Sequence, residues 1–250
     1  MPLGPERFRS TEHTVGPWAG TDQHAGPPSA LLVRALEGLV GADGWFARVS
    51  VDLMGAVPVA DLAVRSRVVR PGRSITLAEA ELLAGDRVVA RASGWWHRCG
   101  DTTAVATPPV PAPPLPEAHG RDPRDTWPGG YLHAMEWRWV RGHFAELGPA
   151  AVWARMRMPL VEGEEPTPLQ RVLATADSGN GAGSALPLDE WLYVNTELTV
   201  HLHRPPVGEW VCLDAATTLG PSGGGLAASV LSDVDGEVGR GAQALVLRPR

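Results

Sequence analysis

The residues best able to do chemistry fall in two short stretches of the 250-residue chain, Gln23-His-Ala-Gly-Pro-Pro28 and Ala176-Asp-Ser-Gly-Asn-Gly181. The first opens a segment, Pro27 to Leu39, in which Leu31, Leu32, Ala35, Leu36 and Leu39 recur at helical spacing, and paired prolines suit a first helical turn. A helix start presents N–H groups without intrahelical acceptors at the positive end of the macrodipole, so Ala25 and Gly26 are candidates for holding an oxyanion. Gly26 has no side chain to block close approach. Asp177 can take a proton from water as a general base. The competing reading is a helix-end cap, since Ser178-Gly-Asn-Gly181 follows at once. His24, just before the helix, either orients the oxyanion loop and substrate or is a surface residue.

Other patterns carry less. Gly220-Pro-Ser-Gly-Gly224 matches G-x-S-x-G, but a nucleophile elbow needs a strand before it and a helix after, and here strand-like sequence lies on both sides, which places Ser222 in a hairpin loop. Gly179-Asn-Gly-Ala-Gly183 follows a helix and leads into none, unlike a dinucleotide loop. His201 and His203 share a strand face but have no third ligand nearby, so no metal and no cofactor are expected. All 22 basic residues are Arg, which excludes Lys-based Schiff-base, phosphate-loop and kinase chemistry.

The elements that must position these residues repeat. The helix over Pro27–Leu39 is followed by strand-like Phe46–Val57, Leu62–Val69, Ile75–Leu83 and Val88–Trp96. A helix over Pro168–Ala176 is followed by Leu192–Leu202, Trp210–Thr218, Leu226–Leu231 and Val238–Leu247. Val49-Ser-Val-Asp-Leu53 lies over Val194-Asn-Thr-Glu-Leu198 at an offset of 145, and each is read as leading into a hairpin, at Val57–Asp61 and at Arg204–Glu209. Gly85-Asp86 and Asp235-Gly236 are read as hairpin turns before each last strand. Ala134–Val140 and Val152–Met158 alternate as half-exposed strands, and Arg7–Val15 is their counterpart. Thr107–Pro116 reads TPPVPAPPLP, with more prolines at Pro123 and Pro128, so the expected units are 1–102, a proline-rich linker over 103–130 of extended and poorly paired backbone, and 131–250.

A long helix on an antiparallel sheet, repeated twice, resembles an α+β double hotdog, and more closely the acyl-CoA thioesterase II-like (TesB-like) family. The residues that carry this resemblance are Gln23–Pro28, Ala176–Gly181, Leu198–Pro205 with Gly208-Glu-Trp210 after it, and Asp233–Gly236 with Gln243–Arg248. It implies a hydrolase acting on an acyl-CoA or acyl-carrier-protein thioester. It also implies that a Thr on the strand after the second helix and a Gln on the last strand hold the attacking water with the Asp. Asn195 stands at the Thr position, with Thr196 on the opposite strand face, and Gln243 matches. In related single-hotdog dimers, a helix-start N–H from one subunit and a carboxylate nine residues further along the partner's helix form each site. With the helices superposed at an offset of 144, His24 meets Pro168, Gly26 meets Gln170 and Val33 meets Asp177, so the fused chain has one complete site. Two alternatives follow. One is a non-catalytic acyl-thioester binding protein, prompted by Asn195. The other is a hotdog hydratase or dehydratase, for which the sequence aligns no His–carboxylate pair.

With 22 basic against 28 acidic residues the net charge is −6, so nucleic acid is not an expected partner and an anionic ligand must be held by local arginines. Arg204 and Arg240 are candidates for coenzyme A phosphates. Two cysteines, Cys99 and Cys212, and the lack of an apolar leader or an 18-residue apolar run lead to the expectation of a cytoplasmic protein without membrane association. A homo-oligomer is compatible with the resemblance, because hotdog sheets commonly pack further. The ten tryptophans are expected in the core and on sheet faces, with some lining an acyl tunnel.

Overall fold

The structure is a computed structural model and describes residues 1–17, 19–117 and 129–250; Pro123 and Pro128 of the expected linker lie outside the described residues. The first half contains β1 (Pro2–Gly4), β2 (Arg7–Arg9), α1 (Gly26–Glu37), β3 (Gly44–Leu53), β4 (Asp61–Arg70), β5 (Ile75–Ala84) and β6 (Arg87–Arg98). The second contains α2 (Tyr131–Ala134), β7 (Met135–Arg141), β8 (Ala150–Met156), α3 (Pro168–Ala176), α4 (Gly179–Ala182), β9 (Trp191–Asn195), β10 (Glu197–Leu202), β11 (Val211–Leu219), β12 (Gly224–Asp233) and β13 (Gly236–Pro249).

The strands form one antiparallel sheet in the order β1-β2-β4-β5-β6-β3-β10-β13-β12-β11-β8-β7, with β9 also paired to β13. Outward from the β3–β10 junction both halves run alike: β6, β5, β4, β2, β1 on one side and β13, β12, β11, β8, β7 on the other. At the junction Asp52 faces Glu197 in register. These two residues are 145 apart, the offset that aligns the halves in sequence, so a pseudo-twofold axis passes between them. Alternation explains which face is buried: along β5, Thr76, Ala78, Ala80 and Leu82 point inward, while Glu79 and Glu81 point outward to Arg67 and Arg91. On the buried face α1 and α3 pack against each other and the sheet, within one hydrophobic core.

Three expectations are corrected. Neither Val57–Asp61 nor Arg204–Glu209 is a hairpin turn, because β3 does not pair with β4, nor β10 with β11. The first segment instead bonds across to the start of α1, where Gln23 N–H donates to the Val57 carbonyl at 2.8 Å. The second is drawn to Asp233, which accepts from the Arg204 guanidinium and the Val207 N–H. The strand over Leu192–Leu202 is two strands, since Asn195 faces Leu245 but Thr199 faces Ala242, leaving one extra residue on the β9–β10 side. This bulge switches the inward set from Tyr193 and Asn195 to Leu198, Val200 and Leu202. The described part of the linker is also not free. Prolines lack N–H groups, but the Val110, Pro113 and Pro116 carbonyls accept bonds from Glu237 N–H, Trp153 Nε1–H and the Arg138 guanidinium.

Candidate active site

The start of α1 and the end of α3 meet because both helices present small atoms there. A Cβ on Gly26 would lie 2.5 Å from the Ala174 carbonyl oxygen, so only glycine permits the approach. Pro27 and Pro28 remove two N–H groups from the first turn, and Ala25 offers no side-chain cap. The backbone donors left at this end are those of Ala25 and Gly26.

α3 ends at Ala176 and Asp177 occupies its C-cap, one position beyond the helix rather than within it. The residue is 3% exposed, yet its carboxylate is turned toward the first half. His24 Nδ1 lies 2.9 Å from Asp177 Oδ2, and Asn195 Nδ2 donates to Oδ1 at 3.0 Å. The structure therefore supplies the His–carboxylate pair that sequence alignment missed, because its members come from different halves, 153 positions apart. Gly26 N–H also points at His24 Nδ1, at 3.0 Å. One ring nitrogen cannot serve both neighbours: with a proton on Nδ1 it donates to the carboxylate and the Gly26 N–H is released for a ligand.

Gln243 is brought to the same place but in another role. It is 1% exposed and does not line the cavity. Its Nε2 donates to the Asp177 carbonyl at 3.0 Å and approaches Oδ1 at 3.4 Å, and its Oε1 accepts from Asn180 N–H at 2.9 Å. These bonds fix the α3–α4 corner and tie Gln243 to Asp177. Thr196, set aside in the sequence because of strand parity, lines the cavity at the bulge.

Tyr131 has no counterpart in the sequence reading. Its ring stacks on His24 at 3.9 Å between centroids, and its hydroxyl donates to the Ala174 carbonyl at 2.7 Å beside Ser178 Oγ. Burial pushes that hydroxyl far above the ordinary phenol range, so it stays neutral. The available signal was Gly129-Gly130 just before it: Gly130 has φ +73°, and a Cβ there would sit 2.3 Å from the Val15 carbonyl, which accepts the Tyr131 N–H.

A cavity of about 500 Å³ opens on this cluster, lined by His24, Ala25, Asp177 and Asn195 and by apolar residues such as Leu53, Val57, Leu132 and Leu192. No described tryptophan lines it. Its aromatic walls are Tyr193 and Phe144, the latter held edge-on by Trp137 and Trp139 with centroids at 4.9 and 4.7 Å. Arg204 and Arg240 do not reach it either, being bound to Asp233 and Glu237. His201 is exposed on β10, in register with Arg48 and Arg240, and Ser222 lies in the β11–β12 turn. Gly179–Ala182 coils into the one-turn α4. Among the described residues no helix is long and apolar enough to cross a membrane.

Similar proteins are recognisable over the whole chain. In structure it resembles the tesB protein of Mycobacterium avium subsp. paratuberculosis, with 14% identity, 100% of this chain and 95% of that one covered, and a TM-score of 0.70. It also resembles an acyl-CoA thioesterase II of Mycobacterium marinum, with 12% identity, 98% and 93% covered, and a TM-score of 0.72. A third similar structure is a conserved Alicyclobacillus acidocaldarius protein with the hot dog fold, with 16% identity, 99% and 95% covered, and a TM-score of 0.70. No curated protein sequence matches the chain. These likenesses establish the double hotdog fold. Residues 14–97 match the family model of the acyl-CoA thioesterase N-terminal domain and residues 109–247 that of the acyl-CoA thioesterase C-terminal domain. Its two halves matching in order, the chain belongs to the acyl-CoA thioesterase family of thioester hydrolases.

Proposed function

We propose that this protein hydrolyses an acyl-CoA thioester with a water activated by Asp177. The observation that carries the proposal is the convergence of a buried carboxylate from the second half with a histidine and an uncapped helix start from the first, at the wall of one large apolar cavity. On this reading the units 1–102 and 131–250, joined through 103–130, contribute the two halves of one site.

The thioester carbonyl oxygen lies toward the Ala25 and Gly26 N–H groups, where the helix dipole favours developing negative charge. Asp177 removes a proton as water attacks the carbonyl carbon, and the charge passes to the oxygen. Collapse of the tetrahedral species breaks the C–S bond. The departing thiolate takes up the proton, and acid and thiol are released. No covalent enzyme intermediate is needed. Asn195 and Gln243 hold the carboxylate from the sheet side and His24 from the helix side, so Asp177 is oriented before substrate arrives. Asn195 provides an amide where the resemblance implies a hydroxyl, and an amide oxygen accepts from water equally well.

The His24–Asp177 pair favours one second reading, addition of water across an enoyl thioester, since a paired His and carboxylate can also move protons at carbon. The experiment is thiol release from short, medium and long acyl-CoA esters by the wild type, with absorbance of crotonyl-CoA followed in parallel. Release from saturated esters supports hydrolysis. Loss of the conjugated absorbance without thiol release supports hydration, and binding without either supports an acyl-binding role.

A further inference from the structure

The cavity has a second rim that hydrolysis does not use. β3 ends at Leu53, whereas β9 stays paired with β13 out to Trp191 and Pro249, so beyond Thr196 the sheet is slit between the Leu53–Val57 segment and β9. Cavity-lining residues come from both edges, Leu53 and Met54 on one side and Val194, Val246 and Arg248 on the other. Gln243 and Leu245 point into the core, so by alternation Val246 and Arg248 project to the opposite face of β13. The cavity therefore passes from the Asp177 cluster through the sheet to its outer side.

Charge marks that outer end. The chain has a net charge of −6, and a polyanionic ligand needs a local cation. Arg248 is the arginine lining the cavity; it is exposed and has no acidic partner among the described residues. The acid of the same lining outside the catalytic cluster, Asp22, belongs to the other wall, where Asp22 bridges Pro58. A second exposed arginine without an acidic partner among the described residues, Arg87, has Nη1 3.6 Å from where a Cβ on Gly55 would lie, at the same end of the sheet. β6 and β13 are three strands apart, which separates the two cations laterally by about 14 Å.

We infer that Arg248 binds a phosphate of the group that carries the acyl chain, with the substrate threading the slit so that its phosphates lie on the outer face and its thioester at Asp177. The inference rests on the reading that this cavity takes a thioester. A planar guanidinium fork suits phosphate oxygens, and an exposed arginine with no ion pair among the described residues is open to bind them. Coenzyme A and the prosthetic arm of a carrier protein share a phosphate next to pantetheine; coenzyme A alone adds nucleotide phosphates.

The test compares wild type with Arg248→Gln on one acyl group carried by coenzyme A, by 4′-phosphopantetheine and by N-acetylcysteamine. KM for the coenzyme A ester is expected to rise about tenfold with kcat unchanged, and KM for the phosphate-free ester to stay the same. An equal effect on the phosphopantetheine ester assigns the contact to the phosphate both carriers share. An effect on the coenzyme A ester alone assigns it to the nucleotide phosphates. An equal KM rise for the phosphate-free ester, or none for coenzyme A, overturns the inference. Calorimetry of free coenzyme A on both proteins separates it from the catalytic reading: weaker binding to the variant with no hydrolysis by wild type keeps the phosphate contact and removes the hydrolysis. Unchanged binding alongside active hydrolysis does the reverse.

Discussion

The two ends of the α1–α3 pair are related by the pseudo-twofold axis and have diverged in opposite directions. At one end α1 begins at Ala25 without a side-chain cap, and the carboxylate at the end of α3 faces a cavity of about 500 Å³. At the other, Thr167 occupies the N-cap, the place of Ala25 in α1, and caps α3 by accepting the Gln170 N–H at 3.2 Å. The carboxylate there is Glu37, one turn beyond Val33, and it accepts from Thr167 Oγ1 at 2.8 Å and from Gln170 Nε2 at 2.7 Å. Its cleft is smaller, about 330 Å³. The difference lies in which donors are already used. Thr167 and Gln170 bind Glu37 as a fixed structural contact, whereas at the α1 start a single His24 nitrogen is shared between the Gly26 N–H and Asp177, so one of these groups is freed to act on a ligand.

The largest effect is expected at His24. His24→Phe keeps a ring against Tyr131 but removes Nδ1, and turnover is expected to fall about a hundredfold with thermal unfolding little changed. An unaltered rate and pH–rate profile would mean the His24–Asp177 contact has no part in the reaction.

A smaller effect, in stability alone, is expected at the opposite end. Thr167→Ala removes the cap and should cost about 1 kcal/mol in denaturant unfolding, with kcat/KM unchanged. A matching loss of activity would show that the two ends have not separated their roles.

Smallest is a pH effect at Glu37. Burial holds its carboxyl above the ordinary carboxylate range, against the lowering influence of the Gln170 and Thr167 hydrogen bonds. The folded protein therefore binds that proton more tightly than the unfolded chain. This contribution is complete below the unfolded value and disappears as pH rises through the folded one. Unfolding measured from about pH 4 to about pH 8 should show wild type losing stability relative to Glu37→Gln as pH increases. A constant difference would contradict it.

Much of this was legible in the sequence because it is local or repeated. The apolar stripe of α1, the limits of α3 at Pro168 and Ala176 and the 145-residue offset all follow from neighbours or from self-similarity. What escaped depends on distant partners. The β9–β10 bulge changes face within a run that alternates without a break signal, and the two supposed hairpins fail because their segments have stronger partners in the start of α1 and in Asp233. Tyr131 lies next to a proline-rich stretch whose composition points to a linker, yet it forms the floor under His24. Gln243 could be named from resemblance, but only packing shows its bonds to Asp177 and Asn180.

The most direct test is thiol release from one acyl-CoA ester by Asp177→Asn and Glu37→Gln side by side, with circular dichroism to verify folding. Asp177→Asn is expected to lower turnover by at least about a hundredfold while Glu37→Gln matches wild type. Undiminished release by a folded Asp177→Asn protein, or equal losses in both variants, would contradict it.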